Sequence, residues 1–103
     1  MLLNSWVNFG GAHQTIRYRK IAGVVYGQGF VKSGTQTTGT DLFVLPAGFR
    51  PATTLTFLQT NGPGPGLAIA RIDVTSAGVV EIGQANAVDN NYLAVMFSFP
   101  ADA

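Results

Sequence analysis

Leu45-Pro46-Ala47-Gly48-Phe49-Arg50-Pro51 is the stretch whose reading decides the fold. Pro46 and Pro51 each fix φ near about −65° and remove an N–H donor, so this segment cannot continue a central strand. Gly48 between them is free to turn through positive φ. Upstream, Asp41-Leu-Phe-Val-Leu45 alternates and is rich in β-formers; downstream, Thr53-Thr-Leu-Thr-Phe-Leu-Gln-Thr60 does the same. The reading is strand, rigid corner, strand. Pro46, Gly48, Phe49, Arg50 and Pro51 are therefore assigned to structure.

Working outward, the same grammar covers the whole chain. Trp6-Val-Asn-Phe9 reads as a first strand ending at Gly10-Gly11. Thr15–Ile21 alternates, with Ile16 and Tyr18 on one face and Arg17 and Arg19 on the other. Ala22-Gly23 turns it into a strand over Val24–Lys32, forming a hairpin. In that strand Val24, Tyr26 and Phe30 share a face, and Val25, Gly27, Gly29 and Val31 share the opposite one. Glycines inside a strand point to a bulge or a close backbone approach. After a polar loop over 33–40 and the proline corner comes Asn61-Gly-Pro-Gly-Pro-Gly66, a stiff loop with few side chains. Leu67–Thr75 and Val79–Gly83 form a second hairpin about Ser76-Ala-Gly78, with Ala68, Ala70, Ile72 and Val74 on one face. A polar connection over 84–91 leads to a last strand, Tyr92–Phe99, ending at Pro100. The expectation is all-β: an antiparallel, jelly-roll-like β-sandwich of about eight strands. No repeat, heptad or linker divides it, so residues 1–103 form a single domain.

Composition adds a constraint on assembly. Apolar residues make up 47% of the chain, but only 11% of residues are charged, against about 25% in an average soluble domain. Neutral Thr, Asn, Gln and Gly solvate part of the surface, and burial against sister copies in a homo-oligomer accounts for more of the deficit. A net charge of +1 gives no pull toward nucleic acid or an anionic membrane. The chain has no cysteine and one histidine, which excludes disulfide and thiolate-metal frameworks and leaves no expected metal or other cofactor. No apolar run of about 18 residues argues for membrane insertion. Met-Leu-Leu-Asn-Ser-Trp6 lacks a basic n-region and a long apolar run, so the chain reads as made in the cytoplasm without a signal peptide. It would reach the outside in a particle released by lysis.

The proline corner, the Tyr18-Arg19-Lys20 run before Gly23-Val-Val-Tyr-Gly-Gln-Gly29, Trp6 near the start and the ending Tyr92–Pro100 follow one another in an order that resembles the C-terminal head domains of bacteriophage tail fibres and receptor-binding proteins. The likeness spans nearly the whole chain, and the corner and the YRK…GVVYGQG stretch are its specific parts. It implies a short β-sandwich that assembles as a homotrimer at the virion tail tip and touches host cell-surface glycan. It also implies an upstream fibre or baseplate protein, of which this domain is the C-terminal part. Binding residues vary between members of that family, so the resemblance carries over no ligand contact.

Candidate ligand residues therefore come from residue chemistry. His13 follows Gly10-Gly11-Ala12 in a turn, where the ordinary reading is an exposed side chain. Arg17 and Arg19 share a strand face; solvation or cross-strand ion pairs is the ordinary reading, and an anionic surface polymer or a salt link between protomers the functional one. Asp89-Asn90-Asn91-Tyr92 combines a carboxylate, amides and a ring, as sugar recognition needs, or else is a polar turn entering the last strand. Asn61 is a weaker candidate of that kind. Trp6, Phe43, Phe49, Phe57, Phe97 and Phe99 are assigned to core or interface.

Nothing in the chain composes a catalytic site. The acids Asp41, Asp73, Glu81, Asp89 and Asp102 fall on different elements; Asp73 and Glu81 lie in the two arms of one hairpin and could approach, but pairing with Arg71 or solvation is the simpler reading. The GPGPG run lacks the following helix that a phosphate loop requires. The expected function is a non-enzymatic, multivalent host-attachment head. The alternatives are a tail or capsid decoration domain without ligand and, less favoured, a carbohydrate-active hydrolase.

Overall fold

The alternating runs fold into two antiparallel sheets whose facing sides make the core. The computed structural model describes residues 2–62, 68–84 and 91–101. Its strands are β1 (Val7–Asn8), β2 (Arg17–Ile21), β3 (Val24–Gln28), β4 (Phe30–Lys32), β5 (Asp41–Val44), β6 (Leu55–Asn61), β7 (Ala68–Val74), β8 (Val79–Gln84), β9 (Leu93–Ala94) and β10 (Phe97–Pro100). No helix occurs among the described residues. Seven strands, in the order β1-β4-β9-β6-β7-β8-β5, form a sheet curled into a half-barrel; β10-β3-β2 form a small sheet.

The expectation of an all-β, antiparallel sandwich holds, while the count of about eight strands becomes ten among the described residues, split seven and three. The difference has one cause. The single strands read over 24–32 and 92–99 are each two strands that change sheets midway. Alternation runs through the first break, and Leu93, Ala94 and Val95 at the second are all buried; burial reports which face is covered and says nothing about which sheet a residue joins. The crossing at Gly29 is enforced sterically: a Cβ there would lie 2.6 Å from the Cα of Ile16. Beside it the second crossing passes, where the Val95 N–H donates to the Gly29 carbonyl at 2.8 Å.

Both hairpins form as read. Ile21 pairs with Val24 across Ala22 and Gly23, whose φ values of 50° and 82° are those of a type I′ turn. Beyond Ser76–Gly78, Val74 pairs with Val80 and Ile72 with Ile82. Ala70, Ile72 and Val74 point inward with Val80 and Ile82, while Ile69 on the opposite face is 66% exposed. A bulge between Asp41 and Phe43 lets Leu42 and Phe43 both turn inward, which strict alternation forbids. Trp6, Phe43, Phe97 and Phe99 are buried, and Phe49 and Phe57 pack on the core from its margin.

The proline corner is a built joint between the sheets. Gly48 has φ 89°, and the Phe49 N–H closes the turn on the Pro46 carbonyl at 3.1 Å. Arg50 Nε donates to the Leu45 carbonyl at 2.9 Å, and Pro51 is buried. From the small sheet, Lys20 Nζ donates to the Gly48 carbonyl at 2.8 Å, and the Tyr18 and Phe49 rings meet edge-on at 5.6 Å. A further joint escaped the sequence reading. Buried Gln59 donates from Nε2 to the Met96 carbonyl at 2.7 Å and accepts from the Met96 N–H at Oε1 at 2.8 Å. Its carboxamide thus takes the place of a strand partner where the chain leaves β9 for β10.

Candidate functional site

Adjacent placement of β1, β4 and β9 in the large sheet brings together rings that are far apart in the sequence. Phe9 follows β1, Phe30 opens β4 and Tyr92 precedes β9. The Phe9 N–H donates to the Phe30 carbonyl at 2.9 Å, and Phe30 pairs with Ala94. His13 is folded back onto these rings by a turn in which its N–H donates to the Gly10 carbonyl at 3.1 Å. Its imidazole lies edge-on to Phe9, Phe30 and Tyr92, at centroid distances of 4.6, 5.1 and 5.7 Å. Lys32 Nζ sits 5.3 Å from the centre of the Phe9 ring. His13 is exposed and the three other rings are half-buried, so the cluster offers solvent one imidazole, aromatic edges and a cation.

The sequence candidates separate on this geometry. His13, Asn61, Asn91 and Tyr92 converge on this aromatic end. Asn91 is exposed beside Tyr92, whereas Asn61 is only 2% exposed and donates from Nδ2 to the Tyr92 carbonyl at 2.8 Å. Asn61 thus holds Tyr92 in place instead of presenting an amide to a ligand, and the Gly62 N–H assists at 3.0 Å. Asp89 and Asn90 lie outside the described residues, as do 63–67 of the glycine-proline loop. Phe9, Phe30 and Lys32 were not singled out in the sequence, because their nearness to His13 and Tyr92 depends on which strands neighbour one another.

Arg17 and Arg19 stand elsewhere, on the outer face of the small sheet. Their cross-strand partners are Gln28 and Tyr26, so the cross-strand ion pairs expected as one ordinary reading are not formed. With Tyr18 these four residues line a groove of about 290 Å³. Arg17 Nη1 reaches Gln14 Oε1 at 3.5 Å, and the Gln14 carbonyl accepts from the Phe30 N–H at 3.0 Å. The groove therefore borders the aromatic end.

Asp73 and Glu81 pair across the second hairpin, and Asp41 pairs with Glu81 on its other side. Asp73 Oδ1 lies 3.4 Å from Arg71 Nε and accepts from Thr56 Oγ1 at 2.9 Å, the pairing read from the sequence. Partial burial, and then the neighbouring Asp41 and Asp73 carboxylates, hold Glu81 above the ordinary glutamate pKa.

No family model matches this chain, and no curated protein matches it. Among solved structures it is similar to the head domain of the lactococcal phage bIL170, described there as a receptor-binding domain. The TM-score is 0.60 over 97% of this chain and 92% of that one, at 18% sequence identity. The chain thus has the fold of a phage receptor-binding head domain. The likeness read from the proline corner and the YRK…GVVYGQG stretch is borne out at the level of fold.

Proposed function

We propose that this chain is a non-enzymatic receptor-binding head at the tail tip of a phage, working as a homotrimer that attaches the virion to host cell-surface saccharide. The observation that carries the reading is the exposed aromatic end, which the head-domain fold assembles from the two ends of the chain. Sugars offer an apolar ring face and a rim of hydroxyls, and His13, Asn91 and Tyr92 offer rings, an amide and a phenol. Such a site on an open surface is weak by itself. Three copies held on one fibre raise avidity without new contacts.

The experiment is a glycan array with the chain and its His13→Ala variant. Saturable binding to host wall saccharide that weakens in the variant supports attachment. Absence of binding to any host saccharide would leave the decoration-domain role, and release of glycan fragments would make the chain a hydrolase.

A further inference from the structure

Among the described residues, the charges that find no internal partner fall into two matching sets. Among the cations, Lys20 binds the Gly48 carbonyl, Arg50 the Leu45 carbonyl and Arg71 the Asp73 carboxylate, and Lys32 sits over Phe9. Arg17 and Arg19 remain, the first touching only Gln14 and neither meeting an acid among the described residues. Among the described acids Asp73 is engaged, and Asp41 and Glu81 remain, side by side as register partners on β5 and β8. Arg17 and Arg19, two residues apart on one strand face, stand roughly 7 Å apart; directly paired Asp41 and Glu81 stand about 5 Å apart. The two sets are of comparable span and opposite sign.

Each set is accompanied by exposed apolar surface. Ile21 and Tyr26, on the arginine face, are 51% and 47% exposed. On the outer face of the large sheet, Leu58, Ile69 and Val44 are 73%, 66% and 46% exposed. Facing strands there carry Leu58 beside Arg71 and Ile69 beside Thr60, one surface with the acids. Partial burial, and then crowding by Asp41 and Asp73, disfavours the ionised Glu81 in the lone chain, and an incoming cation offsets the crowding part of that cost.

We propose that the outer face of the small sheet docks on the outer face of β6–β7–β8–β5 of a second copy of this chain, placing Arg17 and Arg19 against Asp41 and Glu81. The contact is head-to-tail, since its two patches belong to different sheets, and a rotation of about 120° per copy closes such a contact at three. The inference rests on the reading that copies of this head assemble, and supplies the surfaces through which they do.

The test is sedimentation velocity of the chain, of a basic-face variant (Arg17→Glu with Arg19→Glu) and of an acidic-face variant (Asp41→Lys with Glu81→Lys). Arg17 and Arg19 are exposed and Asp41 and Glu81 half-buried, and far-UV dichroism checks that each variant folds. The expected result is self-association of the native chain that weakens about tenfold or more in either variant alone and returns when all four reversals are combined in one chain, which restores opposite charges at every contact. Association unchanged by both reversals would overturn these surfaces while leaving assembly intact. A native chain that stays monomeric at all concentrations would remove assembly and surfaces together, without touching saccharide binding by the single chain.

Discussion

Val95 donates its main-chain N–H to the carbonyl of Gly29 at 2.8 Å, and at this bond both sheet-changing segments cross. Here β3 gives way to β4, and β9 leads on toward β10. The bond clamps the ends of both sheets, and Gly29 is the residue whose backbone lies against Ile16. Gly29→Ala therefore sets a methyl group against main-chain atoms, which cannot swing aside. We expect a loss of about 3 kcal/mol, at the upper end of overpacking costs. Urea unfolding measures it, and a loss below about 1 kcal/mol would show that the crossing has slack.

Gln59 serves the same joint from the side chain. Gln59→Leu keeps the volume but leaves the Met96 N–H and carbonyl without their partner. Orphaned buried polar groups cost about 1–3 kcal/mol each, so a total near 3 kcal/mol is expected. Hydrogen exchange at the Met96 amide should speed up more than at amides in the β7–β8 hairpin.

Arg50→Ala removes the donor to the Leu45 carbonyl inside the proline corner. Stability should fall by about 1–2 kcal/mol, and binding to host cells, measured on the folded fraction, should stay at the native level. A variant of native thermal stability that no longer attaches would move Arg50 from structure to ligand contact.

Glu81 gives the chain a pH signature. Its carboxyl is held above the ordinary value of 4.5 by burial and by Asp41 and Asp73. The folded chain therefore keeps this proton more tightly than the unfolded one, and stability declines as pH rises between the two values. The contribution is fully present below the ordinary value and lost above the raised one. In Glu81→Gln, denaturant midpoints should rise at neutral pH relative to the native chain, and that part of the decline should vanish. An unchanged profile would mean that the carboxylates relieve one another in some other way.

At the aromatic end, His13→Ala removes an exposed ring that touches Phe9, Phe30 and Tyr92 from outside. Host-glycan affinity should drop about tenfold, a loss typical of one removed contact group, with thermal stability nearly unchanged. Asn61→Ala should act differently. It frees the Tyr92 carbonyl from its buried donor, so stability and affinity fall together.

Much of the molecule was legible as local pattern. Alternation placed Ala70, Ile72 and Val74 inside and Arg17 and Arg19 outside, because a strand's faces are fixed by its own period of two. Gly23 and the proline corner were legible because glycine accepts positive φ and proline fixes φ by itself, whereas the φ of 50° at Ala22 is imposed by the hairpin. The split of two strands into four was hidden, since Gly29 leaves the alternation around it unchanged and Val95-Met96 lie inside a continuous apolar run that marks no break. Phe9, Phe30 and Lys32 were hidden as site residues, and Gln59 as a joint, for a related reason: each acquires its role from a partner distant in sequence.

The amino-acid order by itself determined the class of fold, the two hairpins, the rigid corner and which residues share a face in the alternating strands, all of which follow from torsional preference and hydrophobic period. Tertiary structure alone decided where strands change sheets, that His13 meets Tyr92 while Asn61 stays behind it, and that the unpaired arginines and carboxylates face outward from different sheets. Those outcomes depend on pairing between distant segments, and a chain read residue by residue carries no measure of which strands lie side by side.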